Sequence, residues 1–233
     1  MPLEEQIYHK SQLNIPPEFP DILKQFTKAA IRTQPENLLE WSQAYFKCLK
    51  SGEALPVKTR FEIGKSTGLT FGILNILNRQ LGSKTRKQPV PAKDLREKWQ
   101  DLGLTEEALD NICIAGNINL QAEEGEINMD KFVAVSAYDL VQAEDAIATN
   151  NSNSQIGQAL DIACQLFTND DEGGASRIDI DQFVLVFEYL GDLKDVSKGT
   201  QQMVIEYMKE KALKQDGMVM PGNFQANDCP SFC

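Results

Sequence analysis

The side chains that could do chemistry are few and scattered. The one histidine, His9, lies in the polar opening stretch MPLEEQIYHK. A Ser-His-Asp triad or a histidine-ligated metal needs its imidazole packed among other reactive groups, so neither is expected. The five cysteines, Cys48, Cys113, Cys164, Cys229 and Cys233, are odd in number and widely spread. That fits reduced thiols carried mostly on helices rather than a disulfide framework. Cys229 and Cys233 have no histidine or second cysteine pair beside them, so no metal site is expected there. Gly64-Lys65-Ser66 has the end of a phosphate-binding loop, but Thr59 stands where the opening glycine must be. There is no GxGxxG either. No catalytic residue, metal ligand or cofactor is assigned.

Carboxylates are the remaining reactive groups, and they gather near a recurring device. In EEGEINMDKF (123–132), EGGASRIDIDQF (172–183) and KQDGMVMPGNF (214–224), glycine or charged residues lead to a short extended segment and then a helix with an early Phe. Each resembles the second half of an EF-hand, with Ile127, Ile178 and Val219 as the residues of a small β-bridge. A calcium loop needs oxygen ligands at positions 1, 3 and 5 and a bidentate Glu at position 12. Counted from the bridge residue, position 12 is Lys131, Gln182 or Asn223, and position 1 is Leu120, Asp171 or Ala212. Asn169-Asp170-Asp171-Glu172 comes nearest to a ligand run but lacks the distal carboxylate. An EF-like fold without calcium is expected. A calcium sensor using this C-terminal lobe is the alternative.

The elements that position these groups are helical. Pro16 and Pro17 give an extended lead-in. Pro20 is tolerated in a first turn, so a helix is predicted from Glu18 to about Arg32. Pro35 stops it and starts a second, marked by Leu38, Trp41, Tyr45, Phe46 and Leu49 and closed at Ser51-Gly52. Two such helices bury too little surface to fold alone. Pairing with a second copy would bury an inner stripe. An outer stripe of Leu13, Ile15, Phe19, Leu23, Thr27 and Ile31 would then face a partner helix or the rest of the chain.

Residues 51–69 read as linker, broken by Gly52, Pro56, Gly64 and Gly68. Thr70 can cap a short helix near 70–81, and 82–91 is a second, basic linker. Helices are predicted near 92–102, 105–115, 129–148, 155–168, 179–191 and 198–214, with the polar TNNSNS (149–154) dividing them. Residues 1–100 hold 16 Lys and Arg against 10 Asp and Glu, a net of +6; residues 101–233 hold 7 against 24, a net of −17. An acidic C-terminal part argues against nucleic-acid binding. The basic Arg79, Lys84, Arg86 and Lys87 read as a solvated linker, with a localisation signal as the alternative. No apolar run reaches membrane-spanning length and the start lacks a signal-peptide core, so a soluble intracellular protein is expected.

The run IPPEFPDILKQFTKAAIRTQPENLLEWSQAYF resembles the RIIa docking-and-dimerisation domain. That resemblance implies an X-type four-helix dimer gripping an amphipathic anchoring helix. It assigns Leu13, Ile15, Phe19, Pro20, Leu23, Thr27 and Ile31 to the groove. It assigns Ile22, Phe26, Ala30, Leu38, Trp41, Tyr45, Phe46 and Leu49 to the dimer core. With Met1-Pro2-Leu3, GEALPVKTR, TGLTFGILNIL, DLREKWQDLGL and DDEGGASRI, most of the chain resembles the ropporin-like proteins of sperm flagella and the radial spokes of motile cilia. The fold expected is all-α: an RIIa unit at 12–50, a linker at 51–91, an EF-like helical region at 92–226 and a tail at 227–233. The resemblance implies a non-enzymatic adaptor of the axoneme. It would dimerise with itself or a related RIIa subunit and hold the helix of an A-kinase-anchoring-type spoke scaffold. No nucleic acid or membrane partner is implied.

Overall fold

The computed structural model describes residues 16–59, 68–82, 89–120, 125–145, 152–170 and 174–232. The described residues are all-α apart from four two-residue strands. Helix α1 spans Phe19–Thr33, with Pro20 in its first turn. Asp21 near its start and Arg32 near its end complement the helix dipole. It stops at Gln34, whose φ of 47° is left-handed, just before Pro35. Helix α2 spans Leu38–Ser51. The Asn37 side chain accepts from the Leu39 and Glu40 N–H groups at its start, and left-handed Gly52 closes its end.

Four helix–strand–helix units follow. The first is α3 (Phe71–Leu81), β1 (Val90–Pro91) and α4 (Ala92–Asp101). The second is α5 (Glu106–Ala115), β2 (Glu126–Ile127) and α6 (Met129–Asp145). The third is α7 (Ser152–Phe167), β3 (Ile178–Asp179) and α8 (Ile180–Leu193), and the fourth is α9 (Lys198–Leu213), β4 (Met218–Val219) and α10 (Pro221–Phe224). The units pair through antiparallel bridges, Val90 with Ile127 and Ile178 with Val219. Both bridges carry the same extra bond. The first N–H of the following helix donates to a loop glycine: Ala92 to Gly125 at 2.7 Å and Ile180 to Gly217 at 3.0 Å. Five residues after each bridge residue stands a buried anchor: Leu95, Phe132, Phe183 and Phe224. All four belong to one hydrophobic core that runs through both pairs.

Three expectations change here. The stretch 51–91 is more than linker. Thr70 caps α3 as expected, accepting from Ile73 N–H. The helix itself, however, puts Ile73, Leu74 and Leu77 into the main core, and the Asn78 amide donates to the Leu166 carbonyl at 2.7 Å. The polar TNNSNS ends early, because α7 begins at Ser152. Residues 227–232 are no loose tail. Phe232 is buried against Phe187, ring centroids 5.5 Å apart, and Asp228 pairs with Lys211 at 2.9 Å. Among the described residues no helix is long and apolar enough to cross a membrane.

The cysteines are reduced where described. Cys48, Cys113 and Cys164 are buried, and Cys229 is partly so. Burial pushes the Cys113 and Cys164 thiols up to about 12 and Cys229 up to about 11, and raises Cys48 as well.

Candidate functional site

Helix α1 packs on α2 through Phe26. Its ring lies 5.6 Å from Trp41, 5.4 Å from Tyr45 and 5.1 Å from Phe46, centroid to centroid. Ala29, Trp41 and Tyr45 form the centre of this small core, with Ala30, Leu55 and Val57 against it. The strap 53–58 is therefore part of the N-terminal unit. The Trp41 indole donates to the Pro56 carbonyl at 2.8 Å, and Lys58 N–H donates to the Thr33 hydroxyl at 3.3 Å.

The strap also ties this unit to the rest. The Gln80 amide donates to Ala54 O at 2.8 Å, and Arg79 Nη2 to Val57 O at 2.9 Å. Lys98 pairs with Glu53 at 2.9 Å, and Lys47 with Glu97. The Glu97 bond holds Lys47 above its ordinary range and Lys47 holds Glu97 below its own.

The residues assigned to the dimer core separate into three groups. Trp41 and Tyr45 are only 2% and 1% exposed within the single chain. Within the single chain the strap and Phe26 already cover them. Ile22, Phe26 and Ala30 are half-buried. Leu38, Phe46 and Leu49 stay exposed, joined by Leu39 at 82%. Leu39 lies next to Leu38 outside the 3- and 4-residue steps, so periodicity passed over it. Ala44 and Cys48 complete the buried face of α2.

On α1, Phe19, Leu23 and Ile31 are exposed, Ile31 at 66%. Pro20 and Thr27 are exposed too. The Thr27 hydroxyl donates to the Leu23 carbonyl at 2.8 Å. Ser42 on α2 does the same to the Leu38 carbonyl at 2.6 Å. Each hydroxyl is satisfied by its own helix, so an apolar partner can lie across it without orphaning a polar atom. Leu13 and Ile15 lie outside the described residues, as do His9, Cys233, Gly64-Lys65-Ser66 and the basic Lys84, Arg86 and Lys87.

The EF-like loops are held by the protein's own charges. Asp170 accepts from Arg177 at its backbone N–H (3.0 Å), Nε (3.1 Å) and Nη2 (2.8 Å). These bonds hold its carboxyl down at about 2. In the second unit, Lys131 Nζ at position 12 donates to the loop carbonyl of Asn117 at 3.3 Å. In the fourth, the Asn223 side chain turns back to accept from Met220 N–H at 2.9 Å. Leu120 and Ala212, at position 1, are core residues. The Gln182 amide nitrogen is buried without a hydrogen-bond partner among the described residues. Asp171 and Glu172 lie outside them. No cluster of three metal-ligating side chains occurs among the described residues. Lys131 puts a cation at the position where a calcium loop needs its bidentate carboxylate.

Comparison with protein-family models finds three matches in series. The ropporin N-terminal domain matches residues 1–53, the middle domain 72–142 and the C-terminal domain 155–219. The first covers α1 and α2; the second takes in almost all of the first bridge-linked pair of units, and the third most of the second.

Proposed function

This chain belongs to the ropporin family, and on that premise we propose that it is a non-enzymatic adaptor whose N-terminal unit dimerises and grips an amphipathic helix. The family fits a flagellar setting in general. In the reading put forward here, the assembly is the axonemal radial spoke and the gripped helix belongs to an A-kinase-anchoring-type scaffold. The observation that carries it is the exposed apolar stripe of α1. Phe19, Leu23 and Ile31 stand in solvent, while Thr27, between the last two, has folded its hydroxyl onto its own helix. A helix pays to expose such a stripe unless something covers it.

A charge on this stripe is solvated in the free protein but buried unpaired against a partner's apolar face. Leu23→Asp and Ile31→Asp should therefore each weaken capture of an amphipathic anchoring peptide by about 30- to 1000-fold, the cost of one central anchor. The oligomeric state should not change. Fluorescence anisotropy with a labelled anchoring peptide, beside sedimentation of each variant, measures both. Unchanged affinity in both variants means the partner docks elsewhere.

A further inference from the structure

On the side of α1 away from the apolar stripe, a cleft of about 460 Å³ opens between α1, the strap and α3. Four cationic side chains line it: Lys28, Arg32, Lys58 and Arg79. Among the described residues that line it there is no carboxylate, although the chain as a whole carries a net charge of −11. Its floor includes Leu55 and Val57. Arg79 is anchored through Nη2 to Val57 O, but its Nε is buried with no hydrogen-bond partner among the described residues. A buried guanidinium N–H without an acceptor is costly, so the guanidinium brings its charge to the cleft with one donor unanswered.

We propose that this cleft is a second docking site, which takes a short acidic peptide segment of a partner. Two features favour a peptide over a lone anion. Lys28 and Arg32 are one helical turn apart, about 6 Å along α1. That matches the spacing of alternate side chains on an extended strand, roughly 7 Å. The floor is apolar, so the intervening side chains have a surface to lie on. A partner held by its helix on one face of α1 could place an acidic flank on the other. The adaptor's grip would then depend on salt where the helix groove alone would not.

The test uses the full-length protein and a fluorescein-labelled Glu-Leu-Glu-Glu-Leu-Asp peptide, with its Gln/Asn counterpart as control. The expected result is measurable anisotropy with the acidic peptide, none with the neutral one, and weakening as salt rises. The double variant Lys28→Glu with Arg32→Glu changes two exposed side chains. It should lose roughly tenfold or more in affinity while keeping its circular dichroism and its affinity for the anchoring helix. Leu23→Asp should do the reverse, so failure of this site and failure of the helix groove are distinguishable. Arg79→Lys keeps the charge and loses the fork; it should weaken binding less than the double variant. Equal affinity for acidic and neutral peptides overturns the proposal, as does full affinity in the double variant. Displacement of the peptide by millimolar inorganic phosphate would also overturn it, assigning the cleft to a free anion instead.

Discussion

At the scale of single residues, the loop before β3 is closed by the protein's own ion pair, Arg177 with Asp170. The sequence reading rests on absences at position 12, and Lys131, Gln182 and Asn223 remain the wrong side chains for a hard cation. The residue it missed is Arg177. Periodicity gives no reason to pair it with Asp170, seven positions earlier, and only the closed loop brings them together. Asp170 has a folded pKa of about 2, below the ordinary carboxylate value. Its contribution to stability is therefore present above about pH 4 and fades as pH falls through 2. Replacing Arg177 by Gln should move the Asp170 midpoint back up, as read by carboxyl NMR titration. The same principle predicts no calcium binding tighter than about 10⁻⁴ M for the unaltered protein. A micromolar calorimetric isotherm would restore the sensor reading.

At the scale of elements, hydrophobic spacing located the helices well, and glycine-rich or acidic lead-ins marked three of the four bridge residues. The fourth, Val90, escaped because its lead-in is basic and its anchor is Leu95 rather than Phe. Periodicity also finds an apolar stripe without saying what covers it. Trp41 and Tyr45 illustrate this, since the cover is a strap that has no regular secondary structure. The partners assigned to the α1 and α2 stripes come from family resemblance alone. The strap has a direct consequence for truncation. A fragment ending at 52 uncovers the Trp41 indole and removes its acceptor, while one ending at 59 keeps Leu55, Pro56 and Val57. The longer fragment should melt cooperatively and the shorter one should be markedly less stable. In the full chain, Trp41→Phe leaves Pro56 O without its partner and should cost about 1–3 kcal/mol by urea denaturation.

At the scale of the whole molecule, the N-terminal two-helix unit is fastened to an acidic helical body. Two ion pairs and the bonds of Gln80 and Arg79 cross that junction. Exposed pairs such as Lys47–Glu97 add little, on the order of 0–1 kcal/mol. The strap's carbonyl bonds to Gln80 and Arg79 therefore carry most of the attachment. Leu38, Leu39, Phe46 and Leu49 are exposed, and in the proposed dimer a second copy would cover them. Leu49→Glu should shift the chain from dimer to monomer in sedimentation equilibrium without loss of helix content. A Leu49→Glu protein that remains dimeric would move the interface off α2.

The buried thiols carry a clock for this junction. Cys48 lies under the strap, while Cys113 and Cys164 sit in the body core. A raised pKa and exclusion from water keep all three slow toward maleimides, so each reacts only when its surroundings open. Labelling followed by peptide mass spectrometry would time two openings in one tube. If the docking unit lifts from the body as a separate event, Cys48 should label earlier than Cys113 and Cys164. If all three label together, the junction opens only when the body itself comes apart.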